Sequence, residues 1–160
     1  MFKLEFGIVH EGCLVNRMSR ALPNLKIVSA GGFIVNPSQA DEILIIEKPT
    51  DQNVEAALSF LKNSGEIEVA KELERTDDKS FIRILTTAAP NTGYCSEAVS
   101  KNRCFNLNME IQQKGVEQWQ VGCLERSQAE QLVEDLKKMG TLKYHRITES
   151  SWNDLLQSPI

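Results

Sequence analysis

Apolar and polar residues alternate with two different periods along this chain, and the periods predict its strands and helices. Phe2, Leu4 and Phe6 alternate with charged residues, a pattern typical of a half-buried strand. Residues 14–22 repeat apolar side chains every three or four positions, which predicts an amphipathic helix ending at Pro23. The same reasoning predicts strands over 25–30, 42–47, 66–73, 81–87, 104–111, 119–124 and 142–147, and helices over 50–65, 94–101 and 127–140, with a helical turn over 152–156.

The ends of several predicted elements carry local signals. Thr50 or Asp51 can cap the second helix, and Gly65 stands where a left-handed helix end is expected. Residues 127–130 match a capping box, and Lys114–Gly115 predicts a hairpin turn. These signals divide the chain into short elements joined by tight connections.

The order strand, helix, strand, strand, helix, strand occurs twice. Gly12–Cys13 and Tyr94–Cys95 open the first helix of each copy, and Gly65 and Gly140 follow the second. We therefore predict an α+β fold of tandem ferredoxin-like (βαββαβ) units, with antiparallel sheets and helices on one face. The other face is expected to pack on another sheet or on a partner. The predicted units span residues 1–76 and 77–160.

Composition and charge narrow the classes of function. The 160 residues are 41% hydrophobic and 25% charged, as in ordinary globular proteins. A net charge of −4 argues against direct binding of nucleic acid. Because no apolar run could span a bilayer and the first residues do not resemble a signal peptide, we expect a cytoplasmic protein whose four cysteines are thiols.

The two loops that lead from a first strand into a first helix are the best candidates for a ligand site. Gly12 and Gly93 allow a ligand to approach the backbone closely, and the helix starts offer free N–H groups to a carboxylate or phosphate. The alternative is that both loops are ordinary connections. The ligand-binding candidates are His10, Gly12, Cys13, Arg17, Asn91, Gly93 and Cys95.

Cys13 and Cys95 occupy the same position in the two copies, at a helix start where the helix dipole lowers a thiol pKa. A thiol or metal sensor is therefore an alternative, although small buried thiols are the commoner outcome. With two histidines and no Cys-x2-Cys pair, we predict no metal and no cofactor. No catalytic motif is present in the sequence, so an enzyme is not expected.

Residues 12–27, Gly-Cys-Leu-Val-Asn-Arg-Met-Ser-Arg-Ala-Leu-Pro-Asn-Leu-Lys-Ile, resemble the opening of archaeal bacterio-opsin-activator-type regulators. Residues 119–146 resemble the same family, with a Trp strand, a helix bearing paired leucines, a glycine and a final strand. Such proteins carry an N-terminal sensory region and a C-terminal helix-turn-helix domain that binds DNA. The order of elements also resembles ACT-like domains, which bind amino acids or other small molecules near the first loop.

These resemblances imply an effector-sensing region of a transcription regulator, which binds an amino acid or metabolite and forms a homodimer. DNA would be contacted only by a helix-turn-helix segment that is not in this sequence. A dimerisation or interaction module without a small ligand is the alternative, and it would use the open sheet faces.

Overall fold

The part of the chain that the structure covers forms nine strands and five helices. The computed structural model describes residues 1–157, with the side chains of all of these except Phe33 and residues 155–157. The strands are β1 (Phe2–Val9), β2 (Lys26–Asn36), β3 (Gln39–Glu47), β4 (Ile67–Arg75), β5 (Lys79–Thr86), β6 (Phe105–Asn106), β7 (Glu110–Gln113), β8 (Val116–Cys123) and β9 (Thr141–Glu149). The helices are α1 (Leu14–Ala21), α2 (Asp51–Asn63), α3 (Cys95–Lys101), α4 (Arg126–Met139) and α5 (Trp152–Gln157). None of these helices combines the length and the apolar composition needed to cross a membrane.

All nine described strands belong to one antiparallel sheet, with the order β4-β5-β3-β2-β7-β8-β1-β9 and with β6 beside β8. One half of the sheet packs under α1 and α2, and the other half packs under α3 and α4. Each half has its own buried apolar cluster. The structure confirms the predicted α+β class of tandem ferredoxin-like units with helices on one face.

The two units have exchanged their first strands. In a self-contained βαββαβ unit, the first strand lies between the third and the last strand of the same unit. Here β1 lies between β8 and β9, which are the third and last strands of the second unit. In turn β5, the first strand of the second unit, lies between β3 and β4 of the first. The ranges 1–76 and 77–160 therefore describe the repeat in sequence, while each half of the sheet contains a strand from both.

A short seam joins the two halves into one sheet. Strand β2 pairs with β7 over four positions, from Lys26 opposite Gln113 to Ser29 opposite Glu110. Both strands would otherwise be sheet edges with unpaired backbone groups, and their pairing satisfies those groups. The seam also places residues of the two units side by side on the helix-covered face.

Most of the predicted end signals are confirmed. The Thr50 side chain accepts a hydrogen bond from the Asn53 N–H at 3.1 Å, and Gly65 has the left-handed φ of 74°. The capping box lies two residues earlier than predicted, with Glu125 as the cap residue and Gln128 as its partner. The predicted strand over 104–111 is divided into β6 and β7, because residues 107–109 leave the ladder between them.

Because the exchange places β1 beside β8, removing an inward side chain of β1 should change the surroundings of Trp119 on β8. Phe6 of β1 is fully buried and stacks on Trp119 of β8, with ring centroids 6.0 Å apart. In a Trp152→Phe background, Phe6→Ala should destabilise the fold by about 3–5 kcal/mol and shift the Trp119 fluorescence of the folded protein.

The matched control is Ile84→Ala at a fully buried position of β5. It should destabilise the protein by about 2–5 kcal/mol and leave the Trp119 emission of the folded state unchanged. If β5 rather than β1 lay beside β8, the two variants would show the opposite spectral effects.

Candidate functional site

The exchange brings the two predicted loops together at the centre of the sheet. His10 follows β1, and Thr92 precedes α3. Their side chains are hydrogen-bonded, with 2.7 Å between His10 Nε2 and Thr92 Oγ1. A side chain at Gly12 would lie 3.2 Å from Pro90 Cβ, so the two connections also touch along their backbones. Residues 82 apart in sequence are thus direct neighbours.

A cavity of about 760 Å³ opens beside the crossing loops, on the helix-covered face above the β2–β7 seam. Its floor comes from β3, β2, β7 and β8, and its walls come from the starts of α1 and α3 and from the segment between β6 and β7. This volume is within the range of small-molecule sites. The lining polar and aromatic side chains include His10, Cys13, Glu42, Tyr94, Cys95, Glu97, Glu110, Gln112, Glu117 and Trp119.

Carboxyl groups dominate the chemistry of this cavity. Glu42, Glu110 and Glu117 all line it, and no lysine or arginine among residues 1–157 does so. Burial and the nearby charge of Glu117 raise the pKa of Glu42 to about 7. Burial, followed by Glu117 and Glu42, raises the pKa of Glu110 well above its usual range. The cavity is therefore an acidic cluster without a positive partner.

Glu117 is the most deeply buried of these acids, at 3% exposure. Its Oε1 accepts a hydrogen bond from Trp119 Nε1 at 2.7 Å, while its Oε2 is buried and accepts none from the described residues. The nearest positive candidate is His10, whose Nδ1 lies 3.9 Å from Glu117 Oε2. Burial lowers the pKa of His10, although Glu117 opposes the shift, so the imidazole is neutral near pH 7.

Both cysteines of the predicted site, Cys13 and Cys95, line this cavity. Cys95 is buried, with its Sγ 3.7 Å from His10 Nδ1. Cys13 is partly exposed at the cavity wall. Burial, with the charges of Glu117 and Glu110, raises the pKa of each thiol well above its usual range. The helix dipole, which was expected to lower these values, is outweighed by desolvation and by the acids.

Asn16 holds the first loop and the second unit together. This fully buried side chain accepts the His10 N–H at 3.1 Å through Oδ1. Its Nδ2 donates to Gln112 Oε1 at 3.2 Å and to the Gly115 carbonyl at 3.0 Å. One amide of α1 therefore fixes both the end of β1 and the β7–β8 turn. Such a fully bonded buried group is costly to replace.

The cavity has an approximate twofold character. Cys13 and Cys95 are equivalent in the two units, and His10 is equivalent to Thr92 at the same spacing. Glu42 and Glu117 are separated by 75 residues, the spacing of Gly65 and Gly140, so they are equivalent too. The exchange of strands places both cysteines and both glutamates around one cavity, together with His10, while Thr92 lies outside the cavity and contacts it only through His10.

The predicted site residues divide into two groups. His10, Cys13 and Cys95 line the cavity together. Gly12 packs against Pro90, outside the main cavity. Arg17 lies outside as well, where it donates to the Glu11 carbonyl at 3.0 Å and pairs with Glu66. Asn91 and Gly93 belong to the outer turn before α3 and do not line the cavity: Asn91 is exposed, and the Gly93 N–H donates to the Pro90 carbonyl at 2.9 Å.

Sequence reasoning missed the acids. Glu42 occupies an inward position of its strand, in phase with Leu44 and Ile46, and Glu117 does the same with Trp119. In the alternating patterns of β3 and β8, each of these glutamates occupies a position at which an apolar residue is expected. Such an inward carboxylate indicates a functional site and could have been recognised from the sequence. Its occurrence at equivalent positions of both copies strengthens that indication.

The fold and cavity define a tandem ferredoxin-like protein with exchanged first strands and an acidic cavity between its units. The family described as HVO_2525_N, N-terminal, matches residues 3–142, and the chain belongs to this archaeal-type domain family. No curated protein and no solved structure matches the chain significantly.

Glu42→Gln is expected to remove part of the pH dependence of stability. The carboxyl has an ordinary pKa of 4.5 and a folded pKa of about 7, so the folded protein binds this proton more tightly. The resulting stability is present in full below about pH 4.5 and is lost as pH rises through about 7. At about pH 8 the variant should therefore exceed the parent in free energy of unfolding by about 2 kcal/mol, a value discounted for the partial solvent access of the cavity.

Chemical unfolding at about pH 4.5 and pH 8, in buffer containing a chelator, measures this difference. Glu55→Gln, which replaces an exposed glutamate of α2, is the control and should leave both values unchanged. A Glu42→Gln protein that is less stable than the parent at about pH 8 would contradict the assigned environment.

Proposed function

We propose that this chain is the effector-sensing region of a transcription regulator and that its effector is a small molecule with a positively charged group. The observation that carries the proposal is the acidic cavity of about 760 Å³ between the two units. The resemblance of residues 12–27 and 119–146 to archaeal helix-turn-helix regulators supports the regulatory role. The description of the family as an N-terminal domain is consistent with it.

The lining of the cavity supports a cationic effector over an anionic one. A positive group placed among Glu42, Glu110 and Glu117 would compensate carboxylates that have no positive partner there. Trp119 and Leu107 add apolar and aromatic surface, on which the body of an organic cation can pack. An amine, an amidine or an amino acid bound through its ammonium group fits this chemistry.

The position of the cavity supports a sensing role. Its walls belong to both units, because Cys13 opens α1 and Cys95 opens α3. A ligand there contacts both units at once and favours the arrangement in which they are closed upon it. Binding would thus bias the relation of the two units, which an attached DNA-binding part could transmit.

The test uses pairs of probes that share a shape and differ in charge, such as phenethylamine and 3-phenylpropionate, within a wider panel of small amines and carboxylates. We expect one or more amines to raise the melting temperature and to bind by calorimetry, because a ligand of the native state adds to its stability. The matched carboxylates should have no effect.

Glu110→Gln should weaken binding of the active amine by about tenfold or more, because the amide cannot ionise to pair with a bound ammonium group. Glu55→Gln, on the exposed side of α2, should not weaken it. The proposal would be overturned if no amine in the panel bound, or if carboxylates bound as tightly as their matched amines.

A further inference from the structure

The His10 end of the cavity gathers four side chains of the types that bind transition metals. The donor atoms of His10, Cys13 and Glu117 all lie within 4.8 Å of one another. Cys95 adds a second sulfur, 3.7 Å from His10 Nδ1, on the side where Glu117 Oε2 lies 3.9 Å away. Around a tetrahedral zinc ion, neighbouring nitrogen, oxygen and sulfur ligands lie about 3.3–3.8 Å apart. His10, Cys13 and Glu117 therefore need only small side-chain movements to contact one ion, and Cys95 lies beside them within contact distance of His10.

The unpartnered oxygen of Glu117 is a second observation that points to a cation. Glu117 is 3% exposed, and its Oε2 accepts no hydrogen bond from the described residues. Its other oxygen is held by Trp119 Nε1 at 2.7 Å, so the carboxylate cannot turn towards another donor without breaking that bond. A buried carboxylate oxygen without a partner is costly, and a metal ion would supply the partner.

His10 is already oriented as a ligand. Its Nε2 is hydrogen-bonded to Thr92 Oγ1 at 2.7 Å, and its backbone N–H is held by Asn16. When Nε2 carries the proton, Nδ1 presents its lone pair towards Cys95 and Glu117. Metal-binding histidines in proteins are generally fixed in this way through their second nitrogen.

From this geometry we propose that His10 Nδ1, Cys13 Sγ, Cys95 Sγ and Glu117 Oε2 bind one thiophilic divalent metal ion of the zinc class. Two sulfurs and an imidazole favour zinc over magnesium or calcium, which prefer oxygen ligands. Four protein ligands complete a tetrahedral shell, as in structural zinc sites. The ion would join β1, α1, α3 and β8, and so both units. The metal site shares Glu117 with the proposed amine site, and titration with metal alone tests it separately from amine binding.

The experiment treats the purified chain with a chelator, then titrates it with Zn²⁺ by calorimetry and with Co²⁺ by absorption spectroscopy. We expect one ion per chain, a higher melting temperature with Zn²⁺, and a thiolate-to-cobalt charge-transfer band with the visible bands of tetrahedral cobalt.

Cys13→Ser and Cys95→Ser should each weaken Zn²⁺ binding by about tenfold or more and reduce the charge-transfer band by about half, since each removes one of two thiolates. Glu117→Gln should weaken binding similarly and leave the thiolate band in place at saturating Co²⁺. Circular dichroism and melting temperature of the metal-free variants show whether each is folded, and Glu117→Gln, which keeps the bond to Trp119, is the least disruptive of them.

Two substitutions outside the proposed set serve as controls. Cys104→Ser removes a buried cysteine whose Sγ lies 2.7 Å from Cys123 Sγ, in the core beneath α4. Glu55→Gln removes an exposed carboxylate of α2, outside the cavity. Neither should change the stoichiometry or the cobalt spectrum. The proposal is overturned if the unsubstituted chain binds no stoichiometric metal, if binding survives unchanged in the folded Glu117→Gln variant, or if Cys104→Ser abolishes the thiolate band.

Discussion

The antiparallel pairing of β1 with β8 and β9 is the contact on which the rest of this molecule depends. It takes the first strand of the chain into the second half of the sheet, where Leu4, Phe6 and Ile8 complete the apolar core. The reciprocal placement of β5 completes the other core through Ile82 and Ile84. Neither half of the sheet is complete without a strand from the other copy, so the two units form one cooperative body.

The position of the cavity follows from this exchange. Each first strand lies in one half of the sheet while the helix that follows it covers the other, so the connections must cross where the halves meet. The crossing brings His10 beside Thr92, and it places the starts of α1 and α3 on facing sides of the same space. Burial there raises the pKa of Glu42 and Glu110 and of the Cys13 and Cys95 thiols, because the sheet forms the floor and the helix starts form the walls.

Local sequence patterns predicted most of the strands and helices, but they did not predict the order of the strands in the sheet. The apolar stripe of α4, the Thr50 cap and the left-handed Gly65 act within a few residues, so sequence reasoning recovered them. Strands β1 and β5 have the same alternation of inward apolar residues, so either strand fits either half of the sheet. The sequence pattern therefore could not predict the exchange. The candidate loops were identified from their place in the repeat. Glu42, Glu110 and Glu117 were not identified as site residues, because they form a cluster only through contacts between residues far apart in sequence.

The pairing of equivalent positions in one cavity has an evolutionary consequence. Duplication of a single unit supplies two copies of every residue, and in this fold both copies of two positions face the same cavity. Glu42 with Glu117 and Cys13 with Cys95 still match, whereas His10 faces Thr92. One divergent position is sufficient to give a symmetric cavity two unequal ends. An asymmetric molecule would meet different side chains in its two possible orientations, so a repeated fold can distinguish the two ends of a ligand without an added element of structure.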